Sequence, residues 1–159
     1  MNRISAGIVI LIAISRSVSP AGPIEIFDSF GDVCCNDEKA RLDNFAVALQ
    51  HQPESTGYII FYGGRLQNYP YCHSSRQRLQ RRGESQARAA RLKPYLTYAR
   101  AIEAARIVVI DGGYRESWTA ELWIVPKGAE PPTPSPTVNP QDIRFRKGGI
   151  KKRDYECEV

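Results

Sequence analysis

Basic residues that could hold an anion are concentrated in the middle of this 159-residue chain. Between positions 65 and 100 the only acid is Glu84. The basic residues there are Arg65, Arg76, Arg78, Arg81, Arg82, Arg88, Arg91, Lys93 and Arg100. A guanidinium group grips a carboxylate through two parallel hydrogen bonds, so one interpretation is a surface for an anionic partner. The alternative is a solvated helix face and loop, where exposed charges contribute little.

Cysteine and histidine offer a second kind of chemistry, which the spacing does not favour. Cys72 and His73 are neighbours, but a catalytic thiol needs a histidine placed in space and a group that orients it. His51 is the one other histidine. Cys34 and Cys35, together with Cys72 and His73, would make four nominal zinc ligands without the spacing of a structural zinc site. The sequence therefore predicts a protein that is not an enzyme and uses no metal or cofactor.

The start of the chain predicts export. Residues 1–3 form a short positive region that ends in Arg3, residues 4–14 are apolar, and small residues at 19–21 suit a signal peptidase. The apolar run is short for a membrane span, so residues 1–21 are predicted to be a cleaved signal peptide, with an uncleaved anchor as the alternative. Cleavage lowers the net charge from +5 to 20 − 17 = +3. We expect a periplasmic or secreted protein, neither integral to the membrane nor bound to nucleic acid.

In an exported chain, four cysteines favour disulfide bonds over metal ligands. Cys34 and Cys35 are adjacent and poorly placed to bridge each other. One of the two, with Cys35 as the choice, is predicted to pair with Cys72, because loops that follow parallel strands emerge at the same edge of a sheet. Cys157 then pairs with the remaining cysteine or stays free.

Alternating and helical patterns predict the elements that would position these residues. Residues 24–30 and 58–62 read as strands, and residues 107–110 and 119–125 as two more. A helix follows Asn36, with apolar residues at Leu42, Phe45, Ala46 and Leu49. A second helix begins near Glu84, and its apolar stripe is Ala89, Leu92, Leu96 and Ala99. Pro94 should kink or split that helix.

These elements predict an α+β fold, a two-layer sandwich in the order β-α-β-α-β-β with a mixed sheet and two helices on one face. The first two strands should run parallel. The glycine pair at 63–64 should end the second strand, and the pair at 112–113 should turn the last two strands into a hairpin. Residues 22–126 form the predicted domain, and the proline-rich and basic residues 127–159 are predicted to be a mobile tail.

The stretch from residue 86 to residue 107 resembles the C-terminal half of an OmpA-like domain. The resemblance lies in Gln86-Ala87-Arg88-Ala89, Tyr95-Leu96, Ala101-Ile102 and Arg106-Ile107. It implies a periplasmic module that grips peptidoglycan through the acid group of diaminopimelate. Arg88 matches the family's ligand-binding arginine, whereas the family's aspartate position falls at Gly64.

The predicted ligand-binding residues are Arg88, Arg65, Gly64 and Arg91, with Arg65 or backbone N–H groups near Gly64 taking over part of the aspartate's role. The function implied is a non-catalytic envelope module, a degenerate binder of peptidoglycan. The alternative is an interaction protein that uses its basic loop and proline-rich tail to engage an anionic partner.

Overall fold

A mixed sheet of five strands forms one layer, and helices pack on one of its faces. This confirms the predicted α+β sandwich, with one additional short strand. The computed structural model describes residues 24–68 and 76–155. The predicted signal peptide, Cys72, His73 and Cys157 lie outside the described residues. None of the helices within the described ranges is long and apolar enough to cross a bilayer.

The strands follow the sequence patterns, and those predicted at 58–62 and 107–110 extend further than expected. They are β1 (Ile26–Phe30), β2 (Thr56–Asn68), β3 (Gln77–Arg78), β4 (Ile107–Ser117) and β5 (Thr119–Val125). Strand β5 pairs antiparallel with both β1 and β2, so β1 and β2 run parallel, as predicted. Strand β4 lies parallel to β2, and β3 pairs antiparallel with the last residues of β2.

The predicted hairpin between the last two strands is wrong. Both β4 and β5 pair with β2, on its opposite sides, and the single residue Trp118 carries the chain from one side to the other. The crossing passes over Gly64, where a Cβ atom would lie 2.5 Å from the backbone nitrogen of Trp118. Neither glycine pair is a turn. Gly63 and Gly64 lie within β2, and Gly112 lies within β4 against the ring of Tyr62.

Helix α1 spans Cys35–His51 and forms as its apolar spacing predicts. It begins two residues earlier than expected, with Cys34 rather than Asn36 in the N-cap position. Asp37 and Glu38 place negative charge in its first turn, where the helix dipole favours it. Its buried face joins the core that fills the space between helices and sheet. That face consists of Leu42, Phe45, Ala46 and Leu49.

The second helix is split, as the proline predicts. It comprises α2 (Glu84–Ala89), α3 (Leu92–Pro94) and a wide π-type turn at Tyr95–Ala99. Pro94 has no N–H to bond the carbonyl of Ala90, and the break falls at that carbonyl. The stripe is buried at Ala89, Leu92 and Leu96, but Ala99 is exposed.

The segment within residues 127–155 packs against the domain, which contradicts the mobile tail predicted for these residues. The N–H groups of Thr137 and Val138 both donate to the carbonyl of Tyr114 at 3.0 Å. Val138 and Ile143 are buried. Prolines stiffen this segment and reduce the entropy lost on docking, so a few apolar anchors are enough to hold it.

Candidate functional site

Arg88, the arginine that the resemblance places in the ligand site, is buried inside the protein. Its side chain is 2% exposed and forms an ion pair with Asp32, in the loop between β1 and α1. The same guanidinium donates to the carbonyl of Gly31 at 3.4 Å and lies 3.8 Å from the centre of the Trp118 ring. Arg88 thus faces a carboxylate that belongs to the protein itself.

Asp32 is held as firmly as Arg88. Its side chain is 3% exposed, and its second carboxylate oxygen accepts the backbone N–H of Asn68 at 2.9 Å. A ligand carboxylate at Arg88 would have to displace Asp32 and leave a buried charge without its partner, which is costly in the protein interior. The described geometry therefore pairs the charge of Arg88 inside the protein.

Gly64 has no room for the acid that the family would place there. A Cβ atom at Gly64 would lie 2.5 Å from the carbonyl oxygen of Leu66 and 2.5 Å from the nitrogen of Trp118. Both neighbours are backbone atoms, which cannot rotate away. Gly64 also pairs with Arg115 across the β2–β4 ladder. The strand crossing at Trp118, rather than a ligand, therefore accounts for glycine here.

Arg91 and Arg65 also have acids of their own. Arg91 pairs with Glu38 of α1, and its side chain is 19% exposed. Arg65 pairs with Glu116 of β4 at 2.7 Å, and these side chains are 48% and 63% exposed. The predicted arginines are therefore distributed over separate ion pairs rather than gathered around one ligand, and Arg65 is the one that reaches solvent most.

A buried ionic network fastens the loop before α2 to the C-terminal segment. Glu84 is fully buried and accepts from the Arg78 guanidinium at 2.5 and 3.0 Å, and from the Arg81 N–H at 2.7 Å. Asp154 lies 3.3 Å from Arg78 and 3.2 Å from Arg81. Arg78 is thus neutralised by Glu84, and both Arg78 and Arg81 are neutralised by Asp154, which is more than seventy residues away in the sequence.

The segments 76–83 and 143–152 lie side by side and contain no acidic residue. The N–H of Arg146 donates to the carbonyl of Gln80 at 2.9 Å, and the guanidinium of Arg82 lies 4.5 Å from the centre of the Phe145 ring. We call the surface formed by these two segments the loop–tail surface. Its exposed cations include Arg82, Arg144, Arg146, Lys147 and Lys151.

A groove of about 470 Å³ lies where the end of β2 meets the C-terminal segment. Arg65 and Arg144 both line it, so one predicted site residue contributes to an open site after all. The remaining lining residues are Leu66, Leu79, Gln141 and Asp142. Sequence reasoning missed this groove because residues 127–159 were expected to be mobile. The apolar residues Val138 and Ile143 among the prolines were the available signal.

Cys34 and Cys35 are both disulfide-bonded. A cysteine binds zinc as a thiolate, so sulfur atoms that are already in disulfide bonds disfavour a zinc site at these positions. Cys72 lies outside the described residues, and the predicted bond from Cys35 to Cys72 therefore stays a prediction.

No protein-family model matches the chain, and no curated protein matches it either. The OmpA-like resemblance and the function it implies therefore rest on the residues between 86 and 107 and on the fold class.

Proposed function

We propose that the protein is an exported, non-catalytic binding module of the cell envelope. Its fold class agrees with the OmpA-like resemblance, and its partner is an anionic envelope polymer such as peptidoglycan. In this proposal the polymer binds the loop–tail surface, and the Arg88 site of the family is degenerate. The observation that carries the proposal is the juxtaposition of two acid-free basic segments, 76–83 and 143–152, on one surface.

The buried arginines favour this surface over the family's site. Arg88 is paired with Asp32 at 2% exposure, so its charge does not reach a polymer outside the protein. The exposed cations of the loop–tail surface have no acid within their own segments, and they can attract an anionic chain at the distances that screening allows, about 8 Å at physiological salt.

The buried network gives this surface a fixed shape. Glu84 and Asp154 hold Arg78 and Arg81 below the surface, which positions the backbone of both segments. Binding then requires little ordering of the chain, and a preorganised surface loses less entropy on association than a mobile tail.

Sedimentation with purified peptidoglycan sacculi tests the proposal. We expect the parent chain to co-sediment and Arg146→Gln/Lys147→Gln to bind more weakly at 0.15 M salt. Exposed ion pairs contribute about 0.2–1 kcal/mol each, so removing two should weaken binding roughly two- to thirty-fold. The matched control is Lys39→Gln/Lys127→Gln, which removes the same charge elsewhere.

Equal weakening by both double variants would reduce the effect to net charge and argue against a specific surface. A parent chain that stays in the supernatant would remove peptidoglycan as the partner.

A further inference from the structure

The groove between β2 and the C-terminal segment is built from well-anchored elements. A 3₁₀ turn at Pro140–Asp142 presents Gln141 and Asp142, and the side chain of Asn139 caps it by accepting the Gln141 N–H at 2.9 Å. Ile143, between Asp142 and Arg144, is buried and holds the wall in place. The opposite wall is the end of β2, where Arg65 and Leu66 lie.

The charges of the lining match a single negative charge. Arg65 and Arg144 contribute two cations and Asp142 one anion, so the lining carries a net charge of +1. Glu116 pairs with Arg65, but both side chains are about half exposed or more, and such a pair is worth little. A ligand carboxylate can therefore share or replace Glu116 as the partner of Arg65.

The other lining groups restrict the ligand further. Leu66 and Leu79 offer an aliphatic contact, and Asp142 and the Gln141 amide oxygen can accept N–H groups. A phosphate dianion would bring a second negative charge close to Asp142. None of the six lining residues is aromatic, and a sugar ring would find no flat surface on which to stack.

We propose that this groove binds the free carboxylate end of a short peptide. The carboxylate lies between the guanidinium groups of Arg65 and Arg144, a backbone N–H donates toward Asp142, and an aliphatic side chain contacts the two leucines. The groove volume of about 470 Å³ is in the range of small-ligand sites. The inference rests on the proposed function, for the groove adjoins the loop–tail surface, which contributes Leu79 and Arg144 to its lining, and the inference names the chemistry selected there. A cell-wall stem peptide and the C-terminus of another protein both present this chemistry.

Calorimetric titration of the full chain with the tripeptide Ala-Ala-Leu, as the free acid and as its C-terminal amide, tests the inference. We expect the acid to bind at least ten-fold more tightly than the amide. Arg144→Gln should weaken the acid roughly ten- to hundred-fold because a charge-assisted hydrogen bond is lost, and Arg144→Lys should restore part of the affinity. The control is Lys127→Gln, whose cation is exposed and paired with Glu54 at 2.7 Å, as Arg65 is with Glu116. It should bind as the parent does.

A further titration with a diaminopimelate-containing stem tripeptide distinguishes the two sources, since tighter binding of the stem peptide would favour the cell wall. Absence of binding by the free acid, or equal binding of acid and amide, would overturn the inference. So would unchanged affinity in both Arg144→Gln and Arg65→Gln. If sacculi still sediment with Arg144→Gln while the parent ignores the tripeptide, the groove is wrong and the proposed function stands. If the tripeptide binds but sacculi do not sediment with the parent, the groove is right and peptidoglycan is not the partner.

Discussion

Arg82 and Arg88 are six positions apart in the sequence, yet they belong to opposite regions of the molecule. Arg82 is exposed on the loop–tail surface, with its guanidinium over Phe145. Arg88 is buried against Trp118 and paired with Asp32. One arginine is available to a partner, and the other helps to hold the protein together. A basic stretch of sequence is therefore not the same thing as a basic surface.

The difference arises from acids that are distant in the sequence. Arg88 finds Asp32, 56 positions away, and Arg78 finds Asp154, 76 positions away. These partners cannot be seen in a count of charges between residues 65 and 100. The exposed cations Arg82, Arg144, Arg146, Lys147 and Lys151 lie on the loop–tail surface, and they define the candidate surface.

The strongest test of this contrast is Arg88→Ala. Removing one member of a buried ion pair leaves the other charge unpaired, which typically costs about 3–5 kcal/mol. We expect a loss of that size in the free energy of unfolding, measured by urea denaturation. The control is Arg65→Ala, whose ion pair with Glu116 is exposed and should be worth about 0–1 kcal/mol.

Equal and small losses in the two variants would contradict the structural role assigned to Arg88. If Arg88→Ala remained stable and lost its binding to sacculi, the family's site would be active after all.

The sequence predicts the framework of the fold better than it predicts the site. The apolar stripe of α1 and the bounds of β5 depend on local sequence, and both are found as expected. The crossing at Trp118 depends on which strand β4 and β5 pair with, and a glycine pair looks the same in a turn as beneath a crossing chain. The sequence does allow Asp32 to be predicted as a residue near the end of β2. It follows β1, and the reasoning that placed Cys35 near Cys72 also places Asp32 near the end of β2.

The predicted disulfide would connect the buried region around Arg88 with the loop–tail surface. A bond from Cys35 to Cys72 would tie the start of α1, close to Asp32, to the loop that leads to the basic segment 76–83. It would close a loop of nearly forty residues, for which chain entropy suggests about 3–4 kcal/mol of stabilisation. Non-reducing peptide mapping should find Cys35 or Cys34 linked to Cys72, and reduction should lower the free energy of unfolding by at least that amount. A map that joins Cys72 to Cys157 would show that the two regions are not coupled in this way.

Gly64 lies beneath the strand crossing at Trp118, and its substitution tests why the family's acid is missing. Gly64→Asp should destabilise the protein by about 1–3 kcal/mol or more, because its Cβ meets two backbone atoms at 2.5 Å. Gly149→Ala is the matched control, since nothing lies within 4 Å of a Cβ there. Thermal unfolding measures both. A stable Gly64→Asp variant with improved binding to sacculi would instead mean that the position belongs to a ligand site.

The smallest effect concerns an ion pair that is more exposed than Arg88–Asp32 and less exposed than Arg65–Glu116. Asp43 accepts from Arg100 at 2.5 and 2.8 Å and from the Tyr95 hydroxyl at 2.8 Å, and the side chains of Asp43 and Arg100 are 38% exposed. The hydrogen bond from Arg100 holds the pKa of the Asp43 carboxyl below its usual value of 3.8. A carboxyl with a lowered pKa stabilises the fold above its unfolded-state pKa, and that stabilisation is lost as the pH falls through the folded-state pKa.

Asp43→Asn should therefore be slightly less stable than the parent at pH 7. The gap between their free energies of unfolding should narrow below pH 3.8 as the parent's carboxyl is protonated. Urea unfolding at pH 7, 5 and 3 measures the gap. A gap that stays constant across these three conditions would assign the contribution of Asp43 to packing rather than to charge.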